Sequence, residues 1–97
     1  MTIYDKYELA MFIGGKIKCQ RLKNCLTGKE LSIKINISQQ QLSRYETGAS
    51  LIPLDKLLML ADVLNISVSY FLMKWVVMKN KFNLTNINIL LFNQTDR

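Results

Sequence analysis

Two helix-start signatures stand eleven residues apart in this chain, Thr27-Gly28-Lys29-Glu30 and Ser38-Gln39-Gln40-Gln41. They have the T-x-x-E and S-x-x-Q forms of a capping box, in which a hydroxyl and a side chain three residues on satisfy the free amides of a helix start. The spacing leaves room for one short helix and a turn. Asn36 stands where that turn falls, and asparagine is one of the few non-glycine residues that tolerate a left-handed backbone. Counted from Gly28 as position 1, apolar residues fall at positions 4, 8, 10, 15 and 18 (Leu31, Ile35, Ile37, Leu42, Tyr45), with small Ser32 at position 5. Two short helices crossing near a right angle need this pattern: a small residue where they touch and apolar residues on the inner faces. Residues 28–47 therefore read as a helix-turn-helix.

The flanking sequence continues the helical reading. Ile13, Ile17 and Arg21 share one face of a first helix ending near Asn24. Gly48 is a natural stop for the third helix. Pro53 fits the first turn of a fourth helix through Leu64, with Asn65 as its stop, and Ser67 or Ser69 opens a fifth carrying Tyr70, Phe71 and Leu72. Leu54, Leu57, Leu58, Leu60, Ala61 and Leu64 are expected to supply most of the core behind the helix pair. One proline and four glycines suit an all-α domain. We expect an N-terminal extension over residues 1–11, the domain over 12–73 and a C-terminal extension over 74–97. In that last part Asn86-Ile87-Asn88-Ile89 alternates like a strand until Leu90-Leu91-Phe92 breaks it. Such a segment is disordered, pairs with its copy in a second subunit, or packs as a helix on the core.

Charge is concentrated at the front. Residues 12–48 carry seven Lys and Arg against two Glu, so +5 of the chain's net +6 lies there. A basic segment can be a merely solvated face, but this sign also suits a polyanionic partner, nucleic acid or an acidic membrane surface. With no histidine, neither a Ser-His or Cys-His nucleophile pair nor an imidazole metal site can be built. Cys19 and Cys25 are too few for a structural zinc site or a disulfide framework, and they read as reduced thiols of a cytoplasmic protein. Asp5 and Glu8 stand where an export signal needs a basic region, and Lys74 interrupts the most apolar run. No cofactor, metal or membrane span is expected, and no paired acid and base suggest an enzyme.

With Leu42 and Tyr45 turned inward, Gln39, Gln40, Ser43 and Arg44 are left on the outer side of the third helix near its start. Glutamine can bond adenine N6 and N7 together, and arginine can bond guanine O6 and N7 together. These side chains could simply solubilise a helix; on the second helix of a helix-turn-helix in a basic segment, they suit direct reading of bases.

From Ile13 to Ser67 the residues Ile13, Ile17, Arg21, Leu26-Thr27, Glu30-Leu31, Ile35, Ile37-Ser38, Leu42-Ser43, Tyr45-Glu46, Gly48, Leu57, Leu60-Ala61, Leu64 and Ile66-Ser67 resemble the Cro/cI-type (Xre) helix-turn-helix repressors. The resemblance covers about residues 12–73. It implies a five-helix, lambda-repressor-like DNA-binding domain, with Gln39, Gln40 and Arg44 facing base edges and Ser43 beside them. It implies a phosphate contact by Thr27; the Gly28 backbone amide at the helix start, Lys29, Ser38 and Thr47 are the further phosphate-contact candidates. Arg21 and Glu46 match a pair that joins the first helix to the end of the reading helix. Residues 26–31 and 38–46 further resemble regulators encoded beside fimbrial operons, which act on fimbrial and motility genes. The chain departs from phage repressors at Gly28, where those often have glutamine, at the uncharged loop Ala49-Ser50-Leu51-Ile52, and at Cys25, which replaces a frequent glycine. Lys16, Lys18, Lys23, Lys29 and Lys34 are the cations available to compensate.

Tyr70, Trp75, Val76 and Met78 add more apolar surface than one small domain hides, which points to a two-fold dimer contact. A homodimer would set two reading helices about 34 Å apart on double-stranded DNA and favour a near-palindromic operator. The alternative is a protein-interaction module, such as an antitoxin that binds a partner protein and represses its own promoter. Attachment to a membrane surface by residues 71–81 is the third reading.

Overall fold

Five helices follow one another in the computed structural model, which describes residues 5–79, with side chains as far as residue 73. They are α1 (Lys6–Lys23), α2 (Gly28–Lys34), α3 (Gln39–Thr47), α4 (Leu54–Leu64) and α5 (Val68–Lys79). No strand occurs among the described residues, which form an all-α domain with α2 and α3 as the helix-turn-helix. The strand-like alternation at Asn86–Ile89 lies outside the described residues. None of the described helices is long and apolar enough to cross a membrane.

Each boundary has a local cause. The Asp5 carboxylate accepts hydrogen bonds from the amides of Tyr7 and Glu8, at 3.0 and 3.2 Å, which starts α1 at Lys6. Residues 6–11, expected as an extension, thus form the opening turns of α1, with Ala10 buried. At α2 the capping box is complete: Glu30 N donates to Thr27 Oγ1 at 3.0 Å, and Thr27 N donates to Glu30 Oε1 at 2.8 Å. At α3 only half of it forms, since Ser38 Oγ accepts from Gln41 N at 3.0 Å and Gln41 does not return the bond. Asn36 takes φ 61°, allowing Ile37 N to reach the Ser32 carbonyl at 2.9 Å and turning the chain into α3. Gly48 ends α3 at φ 82° and Asn65 ends α4 at φ 57°. Pro53 precedes α4 as its cap residue instead of lying inside it. Ser67 opens α5, its hydroxyl accepting from Ser69 N at 3.2 Å.

Every helix contributes to one core: Ile13 and Ile17 from α1, Leu31 and Ile35 at α2, Leu42 and Tyr45 from α3, Leu57, Leu60, Ala61 and Leu64 from α4, and Phe71 from α5. Fully burying an aliphatic side chain of this kind stabilises by roughly 1.5–3 kcal/mol. Two residues expected in this core are outside it, Leu54 at 64% and Leu58 at 52% exposed, and Leu72 of α5 is 37% exposed. On α4 the stripe from Leu57 through Leu60 and Ala61 to Leu64 occupies the inner face. Leu58, one residue further round, is turned outward, Leu54 lies at the helix start beyond the core, and Leu72 is turned away beside buried Phe71. At Gly14, α1 meets α3 backbone against backbone.

Candidate nucleic-acid interface

The half-turn that seats α3 also determines what it presents. Leu42 is 1% exposed and Tyr45 8%, while Gln39, Gln40, Ser43, Arg44 and Thr47 are all exposed. The four side chains expected to read bases therefore stand together on one outward side of α3. Ser38, Thr27 and Lys29 are exposed at the starts of the two helices, and Gly28 is half-buried. The Gln39 side chain lies over Gly28, Nε2 passing 3.7 Å from the position a Cβ would take there. That is an ordinary contact, so nothing in the packing requires glycine at this position.

Between α1, α2 and α3 is a cleft of about 340 Å³, lined by Lys18, Arg21, Gly28, Gln39, Leu42, Ser43, Glu46 and Thr47. At its wall Arg21 grips Glu46 with two nitrogens, Nε to Oε2 at 2.7 Å and Nη2 to Oε1 at 3.1 Å. Its remaining terminal nitrogen, Nη1, donates to the Leu26 carbonyl at 3.0 Å, so one guanidinium joins α1, the turn before α2 and the far end of α3. Only 12% and 9% of the two side chains is exposed. The hydrogen bond that Arg21 donates to Glu46 holds the Arg21 pKa above its ordinary value against the burial that would lower it. At Glu30, which is exposed, bonds from the Thr27 amide and hydroxyl hold the carboxyl below its ordinary range.

The lysines are not equivalent. Lys18, three residues before Arg21, faces the cleft beside Gln39 and Ser43. Lys16 is drawn the other way, its Nζ 5.6 Å from the Phe12 ring centre and 5.1 Å from that of Tyr70. In the sequence these two are equivalent basic residues, and their spacing from Arg21 is the signal that separates them. Arg44 also has a partner not foreseen: its Nε donates to Ser50 Oγ at 3.2 Å, and the Ser50 amide donates to the Arg44 carbonyl at 3.2 Å. Gly48 in the left-handed conformation is what folds the loop back over the last turn, and it was visible in the sequence.

Tyr70, expected at a dimer contact, packs within the chain. Its hydroxyl accepts from Gln20 Nε2 at 2.9 Å, and its ring meets Phe71 edge-on with centres 5.5 Å apart. Trp75, Val76 and Met78 lie on the backbone of α5, but their side chains lie outside the described residues.

A helix-turn-helix family model matches residues 17–71. Two curated relatives, described as uncharacterised HTH-type transcriptional regulators, come from Rickettsia conorii and Rickettsia prowazekii. Each is 35% identical over 64 residues, covering 66% of this chain and 51% and 49% of theirs. The HTH-type transcriptional regulator ImmR of Bacillus subtilis is 38% identical over 80 residues, 81% of this chain and 63% of that protein. The chain thus spans about half the length of the two rickettsial relatives. Among solved structures, the clp gene regulator ClgR of Corynebacterium glutamicum is similar in fold, with a TM-score of 0.65 at 24% identity, over 70% of this chain and 88% of that one. A second crystal structure of ClgR gives 0.67 at 18% identity, over 90% and 93%.

Proposed function

The chain belongs to the Xre-type helix-turn-helix family, and on that premise we propose that it is a transcriptional regulator binding double-stranded DNA sequence-specifically as a homodimer. The observation that carries this reading is the sorting of α3, with Leu42 and Tyr45 buried and Gln39, Gln40, Ser43 and Arg44 exposed together on the opposite side. Placed in a major groove, such a helix offers amide and guanidinium groups matched to adenine and guanine edges. Thr27, Gly28, Lys29, Ser38 and Thr47, joined by Lys18, would hold phosphates and set the register without reading sequence. The Arg21–Glu46 pair would fix the tilt of α3 against α1.

In this reading residues 6–73 form the DNA-binding domain, α1 included from its start, and the C-terminal residues from 74 on, with Trp75, Val76 and Met78, supply the dimer contact. The operator is then near-palindromic, its halves about one DNA turn apart, roughly 34 Å. The likeness of residues 26–31 and 38–46 to fimbrial-operon regulators supports fimbrial and motility genes as targets, and a regulator of such genes works in the cytoplasm. Selection of bound sites from random DNA duplexes tests the proposal. Enrichment of a two-fold site supports it, and recovery of no preferred sequence overturns it.

A further inference from the structure

We propose that Ser50, in the loop after α3, is a positioning residue for base reading by Arg44. The inference rests on the reading of Arg44 as a base-contacting residue. Two bonds close a ring between these residues: the Ser50 amide on the Arg44 carbonyl and Arg44 Nε on Ser50 Oγ, each at 3.2 Å. The backbone bond places Ser50 over the last turn of α3, with Gly48 at φ 82° making the fold-back. The side-chain bond then uses one particular donor of the guanidinium. With Nε engaged, the side-on approach through Nε and one terminal nitrogen is closed, and the end-on fork of the two terminal nitrogens points away from the loop. That fork matches the paired acceptors O6 and N7 of guanine. A long exposed arginine ordinarily loses rotamer freedom when it docks on a base. An arginine already held loses less, which favours the bound state.

Ser50 is half-buried and Arg44 exposed, so neither is held by the core, and the loop otherwise carries no charge that could hold the guanidinium. Replacing the hydroxyl removes the side-chain bond and leaves the backbone bond in place.

The test measures binding of wild type, Ser50→Ala, Ser50→Thr, Arg44→Ala and the double variant Arg44→Ala/Ser50→Ala to every single-base substitution of the operator selected by wild type. Ser50→Ala should reduce discrimination about threefold to tenfold at the base pair where Arg44→Ala relaxes it, and at no other. The double variant should lose no more than Arg44→Ala there, and Ser50→Thr, which keeps a hydroxyl, should match wild type. If Arg44→Ala relaxes one base pair while Ser50→Ala has no effect or weakens all sequences equally, the positioning role is overturned and Arg44 remains a reader. If Arg44→Ala relaxes no position, or no operator is selected, the reading of Arg44 fails and the role of Ser50 fails with it.

Discussion

A single methyl group on Gly14 of α1 would be driven into the carbonyl oxygen of Tyr45 on α3. The contact is backbone against backbone, so no side-chain rotation can relieve it. Gly14→Ala should therefore push α1 and α3 apart and destabilise the domain by about 2–3 kcal/mol, the upper range for overpacking. Gly15, one residue on, has open space at the same distance. Gly15→Ala should instead stabilise by about 0.5–1 kcal/mol, through the lower entropy of the unfolded chain. Urea titrations of the two variants check both signs.

The Arg21–Glu46 pair lies between an exposed ion pair, worth about 0–1 kcal/mol, and a fully buried one, whose disruption costs about 3–5 kcal/mol. With most of each side chain covered, Glu46→Ala should cost about 2–3 kcal/mol, since Arg21 is left without its partner. Arg21→Met/Glu46→Leu should recover much of that loss by replacing the pair with apolar contact. Chemical denaturation of both gives the comparison, and a double variant weaker than Glu46→Ala would contradict it.

Lys18 and Lys16 should separate in their salt dependence. Lys18→Gln should lower the slope of log affinity against log salt by about 1, equally on all DNA sequences. Lys16→Gln should leave that slope unchanged and loosen the α1–α5 contact by about 0.5–1 kcal/mol, since its charge lies over the Phe12 and Tyr70 rings. Fluorescence anisotropy across a salt series, with a thermal melt, measures both.

Cys25 holds φ at 57°, a conformation that glycine adopts without strain and that is costly for a residue with a Cβ unless, like asparagine, it can bond locally. Cys25→Gly should raise stability by about 1 kcal/mol, while Cys25→Ala, which keeps the Cβ, should show no such gain. Melting in reducing buffer distinguishes them.

Glu30 provides a pH signature. Its folded pKa lies below the unfolded one because the Thr27 amide and hydroxyl favour the carboxylate. The unfolded state thus binds the proton more tightly, so the contribution is fully present above the unfolded pKa and is lost as pH falls through the lower folded value. The urea midpoint of wild type should exceed that of Glu30→Ala at neutral pH, and the gap should narrow in acid.

The helix-turn-helix was legible because its determinants are local. Thr27, Asn36, Ser38 and Gly48 each act on backbone groups within a few residues of themselves. The inward and outward sides of α3 followed from spacing once Leu42 and Tyr45 were seated. What escaped depends on partners distant in sequence. Leu54 and Leu58 are as apolar as Leu57, and only the edge of the core decides which are covered. Tyr70 looked surplus until Gln20, fifty residues earlier, accounted for its hydroxyl. Ser50 is an unremarkable loop serine unless the fold-back at Gly48 is followed through to the side chain it meets.

The separation of seat from face on α3 has a consequence for how such a chain diverges. Gln39, Gln40 and Ser43 project from a rod that the core holds by other residues. On the proposed reading, substitutions at those three positions retarget the protein to a new stretch of chromosome while the scaffold beneath persists. Descendants of one ancestor can then part ways in the genes they govern long before their architecture changes.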